Sequence, residues 1–380
     1  MAYEIDYIGV KADKATKDAD AICLRWKTGI ALNGMPIYKV GVIDGGFEAH
    51  GNAMIAHMNQ YYFDDAEGVK SKEKKTIDFV VVTHPDQDHA IGLKQVLKAF
   101  DVKKIYMNRP WLYVDELFDK VNDGRITKQS LRERLRNNYE TIADIENIAE
   151  ENKIPIYEAF EGTYVENEIL ILSPEKQFYL DLLVESEKTP LQEQAAFNQD
   201  GLFGRIANAV KAYIVNKFED WDIETLRENE ETSAENETSV VLRGLVEGDG
   251  FLLTGDAGIR ALNKAIDYME QIGEDVISEI SFYQIPHHGG RHNVSPSLLD
   301  RMVGQRVKKG ATRNKTAYAS VAEGSDHPLK MVTNAYIRRG VSTYETNGNT
   351  ICHHCGQMPK RGWTQLKMIE FADYVEEWDD

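Results

Sequence analysis

Thr83-His84-Pro85-Asp86-Gln87-Asp88-His89 is the stretch on which the fold turns. It follows Ile77-Asp78-Phe79-Val80-Val81-Val82, an apolar run rich in β-branched residues and too short for a typical helix, which reads as a buried strand. Directly after it, residues 89–97 place apolar side chains at helical spacing. Four metal-competent side chains, His84, Asp86, Asp88 and His89, therefore sit on a loop between a strand end and a helix start. A loop lets alternate side chains turn inward to one point. Imidazole and carboxylate are the ligands of hydrolytic divalent metals. A solvated loop with Asp88 as a helix cap would need one carboxylate, not two flanked by two histidines.

Working outward, the N-terminal side predicts strands over 3–10, 21–26 and 36–43, with a polar loop over 11–21. The third strand ends in Asp44-Gly45-Gly46, where glycines let backbone approach a site closely. A helix is expected over 52–62; His50 and His57 beside and on it read as ordinary surface or core histidines. After the cluster comes a strand over 103–107. Residues 111–151 then read as helical, with Leu131, Leu135, Tyr139, Ile142, Ile145 and Ala149 at spacings of three and four. Residues 153–160 and 168–173 look like a hairpin, 177–221 like a second helical block, and the acidic run 224–237 like an exposed loop.

Strand signals return at 239–243 and 250–254, joined by a Gly-Asp-Gly turn, and the second runs into Gly255-Asp256. A helix over 259–272 follows, then a strand over 280–285 ending in Pro286-His287-His288-Gly289. A strand over 315–321, a helix over 328–339 and a strand over 341–345 come next; 365–377 fits strand or helix. Strands followed by helices thus occur in two halves. Reactive residues fall at strand ends in both. His84, Asp86, Asp88, His89, Asp256 and His288 suit two metal ions with Asp256 bridging the halves. Paired ions about 3.5–4 Å apart generate a hydroxide nucleophile and hold both oxygens of a phosphoryl displacement. Three carboxylates among six ligands favour a harder ion such as Mn²⁺, with Zn²⁺ the alternative.

The chain has 380 residues, 42% of them hydrophobic and 28% charged, enough for one large decorated domain or two small ones. Three cysteines argue against a disulfide framework and for a reducing cytoplasm. No apolar segment reaches membrane-spanning length and the N-terminus lacks a secretory pattern. A formal net charge of −18 weakens any default claim of duplex binding, which rests on phosphate neutralisation by Lys and Arg. Cys352-His353-His354-Cys355 holds one Cys-x-x-Cys without a second pair, and reads as a hairpin end with reduced thiols rather than a zinc site.

These motifs together resemble the metallo-β-lactamase fold superfamily, whose signature is His-x-His-x-Asp-His after a strand with an early Asp, a late Asp and a late His. Here His84-Pro85-Asp86-Gln87-Asp88-His89 has Asp where the second His is usual. With Leu253-Thr254-Gly255-Asp256, Pro286-His287-His288-Gly289, Asn236 to Leu242, Ser325-Asp326-His327-Pro328 and Thr346-Asn347-Gly348, it looks like the ComEC/Rec2 branch. The resemblance implies an αββα sandwich of residues 1–380 with largely helical insertions within 111–235 and a metal site at one edge. It implies that His84, Asp86, Asp88, His89, Asp256 and one of His287/His288, preferably His288, hold one or two divalent ions, Zn²⁺ or Mn²⁺. The family's third metal motif, often His, falls near Ser239. Asp44 would orient a ligand histidine. Asp88, His287 and His327 are the candidate catalytic residues, with His287 and His327 contacting phosphate or moving a proton.

The expected activity is a cytoplasmic metal-dependent hydrolase of phosphodiester bonds in nucleic acid or a nucleotide, using metal-bound hydroxide. The alternatives are hydrolysis of another ester or thioester, and a binding or assembly module, with the helical insertions as a partner surface or lid.

Overall fold

The computed structural model describes residues 2–63, 75–120, 126–186, 188–189 and 216–378. Two seven-stranded sheets face each other. The first runs, in spatial order, Ile351–Cys355, Tyr3–Tyr7, Ala21–Ile30, Pro36–Gly45, Phe79–Val81, Ile105–Tyr106, Ile156–Tyr157. The second runs Ser342–Glu345, Thr316–Ala319, Ile280–Gln284, Asp249–Leu253, Val241–Val246, Ile169–Ser173, Tyr164–Glu166. Each sheet is antiparallel on one side and parallel on the other.

Strand alternation builds the layers. Tyr3, Ile5 and Tyr7 point between the sheets and meet Trp26, Phe79, Phe251, Phe282 and Tyr318 in an aromatic inter-sheet core. Val80 and Val82 point the other way and pack under the helices Glu48–Tyr61 and Leu93–Ala99. A third cluster joins the second sheet to the helices Ile259–Gln271, Pro296–Met302 and Lys330–Arg338. Three apolar layers between four layers of secondary structure are the expected αββα sandwich. Among the described residues no helix is long and apolar enough to cross a membrane.

The helix after the cluster is two pieces, Gln87–Ala90 and Leu93–Ala99, divided at Gly92. Gly92 abuts backbone from two directions: a Cβ on it would lie 1.9 Å from the Gly45 carbonyl oxygen, and a Cβ on Gly51 would lie 2.3 Å from the Gly92 carbonyl oxygen. Three glycines thereby let the Pro36–Gly45 strand end, the Glu48–Tyr61 helix and the metal-loop helix touch backbone to backbone.

Several sequence expectations are corrected. Residues 153–160 and 168–173 do not form a hairpin. Ile156–Tyr157 joins the edge of the first sheet in parallel with Ile105–Tyr106, and Ile169–Ser173 pairs with Tyr164–Glu166 in the second. Among the described residues of the block over 177–221, the helix is Lys176–Glu185 and Asn216–Phe218 is a strand paired with Tyr374–Glu376; residues 187 and 190–215 lie outside the described residues. The stretch 111–151 is helical as expected, over Val114–Phe118, Lys128–Asn138 and Glu140–Asn152, with residues 121–125 outside the described residues.

The acidic run is not a solvated loop throughout. Glu224 is buried against Arg339 at 2.8 Å. Glu237, also buried, accepts from the amides of Arg260 and Ala261 at the start of the Ile259–Gln271 helix. A carboxylate there satisfies amides that have no partner within the helix. Ile351–Cys355 is the edge strand beside Tyr3–Tyr7, and Cys23, Cys352 and Cys355 are free thiols.

Candidate metal centre

Strand ends from both sheets meet at one edge. Asp44 closes the Pro36–Gly45 strand, His84 follows Phe79–Val81, Asp256 follows Asp249–Leu253, and His287 and His288 follow Ile280–Gln284. Asp44, His287 and His288 all take left-handed backbone angles, φ 54°, 48° and 57°. Three non-glycine residues in that sparsely populated region, all at one edge, show backbone strain concentrated around these side chains.

Each histidine is aimed by a partner on its far nitrogen. His89 Nδ1 lies 2.8 Å from Asp44 Oδ2, leaving Nε2 3.2 Å from Asp256 Oδ1. Asp44 is itself fixed, accepting from the Thr83 amide at 2.8 Å and the Thr83 hydroxyl at 2.5 Å. His288 Nδ1 donates to the Ser320 carbonyl at 2.8 Å, so its Nε2 turns inward, 3.4 Å from Asp88 Oδ2. His84 Nδ1 lies 3.1 Å from the Thr83 hydroxyl and its Nε2 is 3.7 Å from Asp256 Oδ2. Fixing one ring nitrogen sets the tautomer and direction of the other, as metal-ligating histidines require.

Asp256 stands between two groups, with Oδ1 toward His89 and Oδ2 toward His84 and, at 3.6 Å, His287. One candidate ligand set is Asp20, His89, Asp256 and His288, all buried; another is Asp44, His84 and His89. His84 Nε2, His89 Nε2, His288 Nε2, Asp256 Oδ1 and Asp20 Oδ1 are buried without a hydrogen-bond partner. Buried polar atoms in folded chains are ordinarily paired; those of Asp20, His89, Asp256 and His288 belong to one candidate ligand set and fit a divalent cation as their common partner, while His84 belongs to the other set.

Electrostatics point the same way. Burial works to lower the His89 pKa, but the carboxylates of Asp256 and Asp44 outweigh it and hold it well above the ordinary value. Burial likewise opposes His288, whose pKa Asp88, Asp256 and Asp20 lift to about 10. Burial lowers that of His84, with the neighbouring His89 adding to it. Protons on imidazoles balance the carboxylates here, and a bound cation would take over that balance and displace them.

The remaining candidates sit as follows. Asp88 faces His288 from the start of the Gln87–Ala90 helix. Asp86 stands apart: Oδ2 is 3.9 Å from His84 Nε2, while Oδ1 accepts from Lys188 at 2.7 Å. His287 Nδ1 faces Asn293 Oδ1 at 3.0 Å, and the Asn293 amide donates to the Asp256 carbonyl. His327 is not drawn into the cluster; its Nδ1 lies 3.0 Å from Asp18 Oδ2 on the wall of an adjoining groove. Ser239, where a third motif was sought, accepts from the Asp256 amide at 3.2 Å. His57 is bound to Asp6 at 2.8 Å.

Sequence reasoning missed Asp20. It ends the polar loop before Ala21–Ile30, is buried, and lies 3.9 Å from His89 Nδ1. Gln284 donates to it at 2.9 Å and accepts from the Thr254 amide, tying it to the Asp256 loop. An Asp directly before a strand was the available signal.

Residues 39–155 match the family model of the metallo-beta-lactamase superfamily, and that segment carries Asp44, His84, Asp86, Asp88 and His89. Among solved structures, the chain is similar to a long form RNase Z from yeast, at 11% identity and a TM-score of 0.30. That alignment covers 74% of this chain and 37% of the RNase Z chain. A search of curated proteins finds no match.

Proposed function

We propose that this protein is a metal-dependent phosphodiesterase acting on nucleic acid or a nucleotide. Asp88, His89, Asp256 and His288, with Asp20 beside them, would hold one divalent ion; His84, Asp86 and the second oxygen of Asp256 would face another. Such ions lower the pKa of a water ligand and polarise a phosphoryl oxygen.

The observation that carries the choice of bond is the cleft beside the centre. It measures about 740 Å³ and is lined by Asp86, Asp88 and His288 together with Lys17, Lys188, Asn137, Asn138 and Thr141, with Asp18 and Glu140 as further carboxylates. Amide, hydroxyl and ammonium donors around a hydrolytic centre suit the oxygens of a phosphodiester. A lactone or acyl thioester would call for an apolar wall. Asn137, Asn138 and Thr141 belong to or border the helices Lys128–Asn138 and Glu140–Asn152, so these helices serve as a wall of the cleft, which supports the active-site reading of the insertion over the partner-surface reading.

His287 would move the proton of the leaving oxygen. Asn293 holds its Nδ1 and leaves Nε2 toward Asp256, and the side chain is 38% exposed. His327, paired with Asp18, would contact a phosphate further along the adjoining groove.

The test is hydrolysis of bis-p-nitrophenyl phosphate with Mn²⁺, Zn²⁺ or Mg²⁺, beside Asp256→Ala and beside p-nitrophenyl acetate. Metal-dependent turnover of the diester, lost in the variant, supports the proposal. Turnover of the acetate alone would transfer the site to ester hydrolysis and overturn it.

A further inference from the structure

We infer that Lys188 is a built-in cation that takes the place of a second divalent ion at Asp86, so that the resting protein holds one metal ion and not two. This rests on the metal reading above and goes beyond it.

The two halves of the centre are furnished unequally. Around Asp256 Oδ1 stand His89, His288 and Asp20, all buried, with Asp88 facing the inward Nε2 of His288. Around Asp256 Oδ2, among the described residues, stand His84, 3.7 Å away, and the partly exposed His287, 3.6 Å away. Asp86 is the carboxylate that would complete this second group. Its Oδ1 instead accepts from the Lys188 ammonium at 2.7 Å, and Oδ2 stands 3.9 Å from His84 Nε2.

Lys188 does not reach Asp86 by chance of a long side chain. Its main chain is fixed in a turn: its amide donates to the Ser186 hydroxyl at 3.0 Å, and its carbonyl accepts from Asn138 at 2.5 Å. Ser186 is held in turn by Glu235 and lies 3.2 Å from the Tyr139 hydroxyl. Three segments thus converge to place one ammonium on Asp86, one of the two metal-loop carboxylates that line the cleft.

A carboxylate neutralised by an ammonium at hydrogen-bond distance can ligate a divalent ion only after that pair is broken, and the incoming ion also meets repulsion from the ammonium. Both effects weaken the second position and leave the first untouched. The same ammonium lines the cleft, so a bound phosphate would draw it away from Asp86 and release that carboxylate.

The experiment is Mn²⁺ binding to the full, metal-stripped chain, followed by titration calorimetry and electron paramagnetic resonance, for wild type, Lys188→Met and Lys188→Met with Asp86→Asn. The expected result is one tight ion in wild type with an uncoupled six-line spectrum. Lys188→Met should tighten a second ion at least about tenfold and add an exchange-coupled signal; the double variant should return to one ion. Lys188→Gln gives the same reading should Lys188→Met fold poorly. Two equally tight ions in wild type, or one ion in every protein, would overturn the inference while leaving the hydrolase reading in place. No ion in any protein would overturn both.

Discussion

Asp44 Oδ2 lies 2.8 Å from His89 Nδ1, and both are buried. The pair joins the end of a strand in the first sheet to the loop that starts the metal-loop helix, and it decides which nitrogen His89 offers to the centre. Asp44→Asn keeps the size of the side chain and tolerates the left-handed backbone, but it removes the charge that favours an Nδ1 proton. Metal affinity should fall by about 10–100-fold with little change in far-UV dichroism. Calorimetric titration with Zn²⁺ or Mn²⁺ checks this; an unchanged affinity would remove Asp44 from the role of positioning residue.

Gly92 is the second hinge of that geometry. A methyl group there would meet the Gly45 carbonyl at 1.9 Å and that of Phe47 at 2.7 Å, and neither is a flexible side-chain end. Gly92→Ala should cost on the order of 1–3 kcal/mol of stability, as overpacking does, and should weaken metal binding because the Asp44 end of the strand must move. Gly29→Ala, where the nearest atom is 3.9 Å away on the Ile37 side chain, is the control and should lie within about 0.5 kcal/mol of wild type. Urea denaturation of both variants decides the matter.

The parts of this site that could be read from sequence are those written in consecutive residues. The loop 84–89 follows a buried β-branched strand, and Asp44, Asp256 and His287-His288 each follow an apolar run, so chemistry and local structure coincide. Asp20 and Lys188 escaped because their significance is set by distance in space. Asp20 lies in a polar loop with no periodicity, and only burial against His89 and Gln284 separates it from Asp13 or Asp18. The false hairpin has a similar cause. Ile156–Tyr157 and Ile169–Ser173 are short apolar strands close in sequence, and nothing in their pattern says that they belong to different sheets. Glu219, read as part of a helical block, and Glu224, read as part of an acidic run, escaped because their arginines come more than a hundred residues later.

That last pairing is testable. Arg338 and Glu219 are both fully buried and meet at 2.7 Å, and Arg338 also donates to the carbonyls of Trp221 and Asp220. Burial raises the Glu219 pKa even with Asn334 and Arg338 holding it down. Arg338→Met leaves that carboxylate without its cation and should cost about 3–5 kcal/mol. Adding Glu219→Gln should return at least about 1 kcal/mol, because the uncompensated charge is gone. A double variant less stable than the single one would contradict this account.

Metal binding should also register as stability. Five buried atoms of the centre have no hydrogen-bond partner among the described residues, and ions that ligate them bind the folded chain and not the unfolded one. At a free Mn²⁺ or Zn²⁺ concentration of about 100 times its Kd, unfolding should become harder by about 2.7 kcal/mol. A chelator should reverse the shift, and Asp256→Asn should abolish it. Thermal unfolding with and without metal measures this without reference to any substrate.

The last expectation concerns acid, at a place remote from the metal loop. His353 stacks on Phe282 with ring centroids 4.2 Å apart, and burial pushes its pKa down to about 4 from 6.5. The folded chain therefore keeps this ring neutral through a range in which the unfolded chain takes up a proton. Above about pH 6.5 the stacked neutral ring carries no penalty. As pH falls from 6.5 toward 4 the unfolded state is favoured by that extra proton, and stability contributed here is lost. His353→Phe keeps an aromatic ring against Phe282 and has no proton to take. Between pH 7 and pH 4.5 wild type should lose about 1–3 kcal/mol more than His353→Phe. Denaturant midpoints at the two pH values give the comparison, and equal losses in the two proteins would mean that His353 is solvated and titrates as in the unfolded chain.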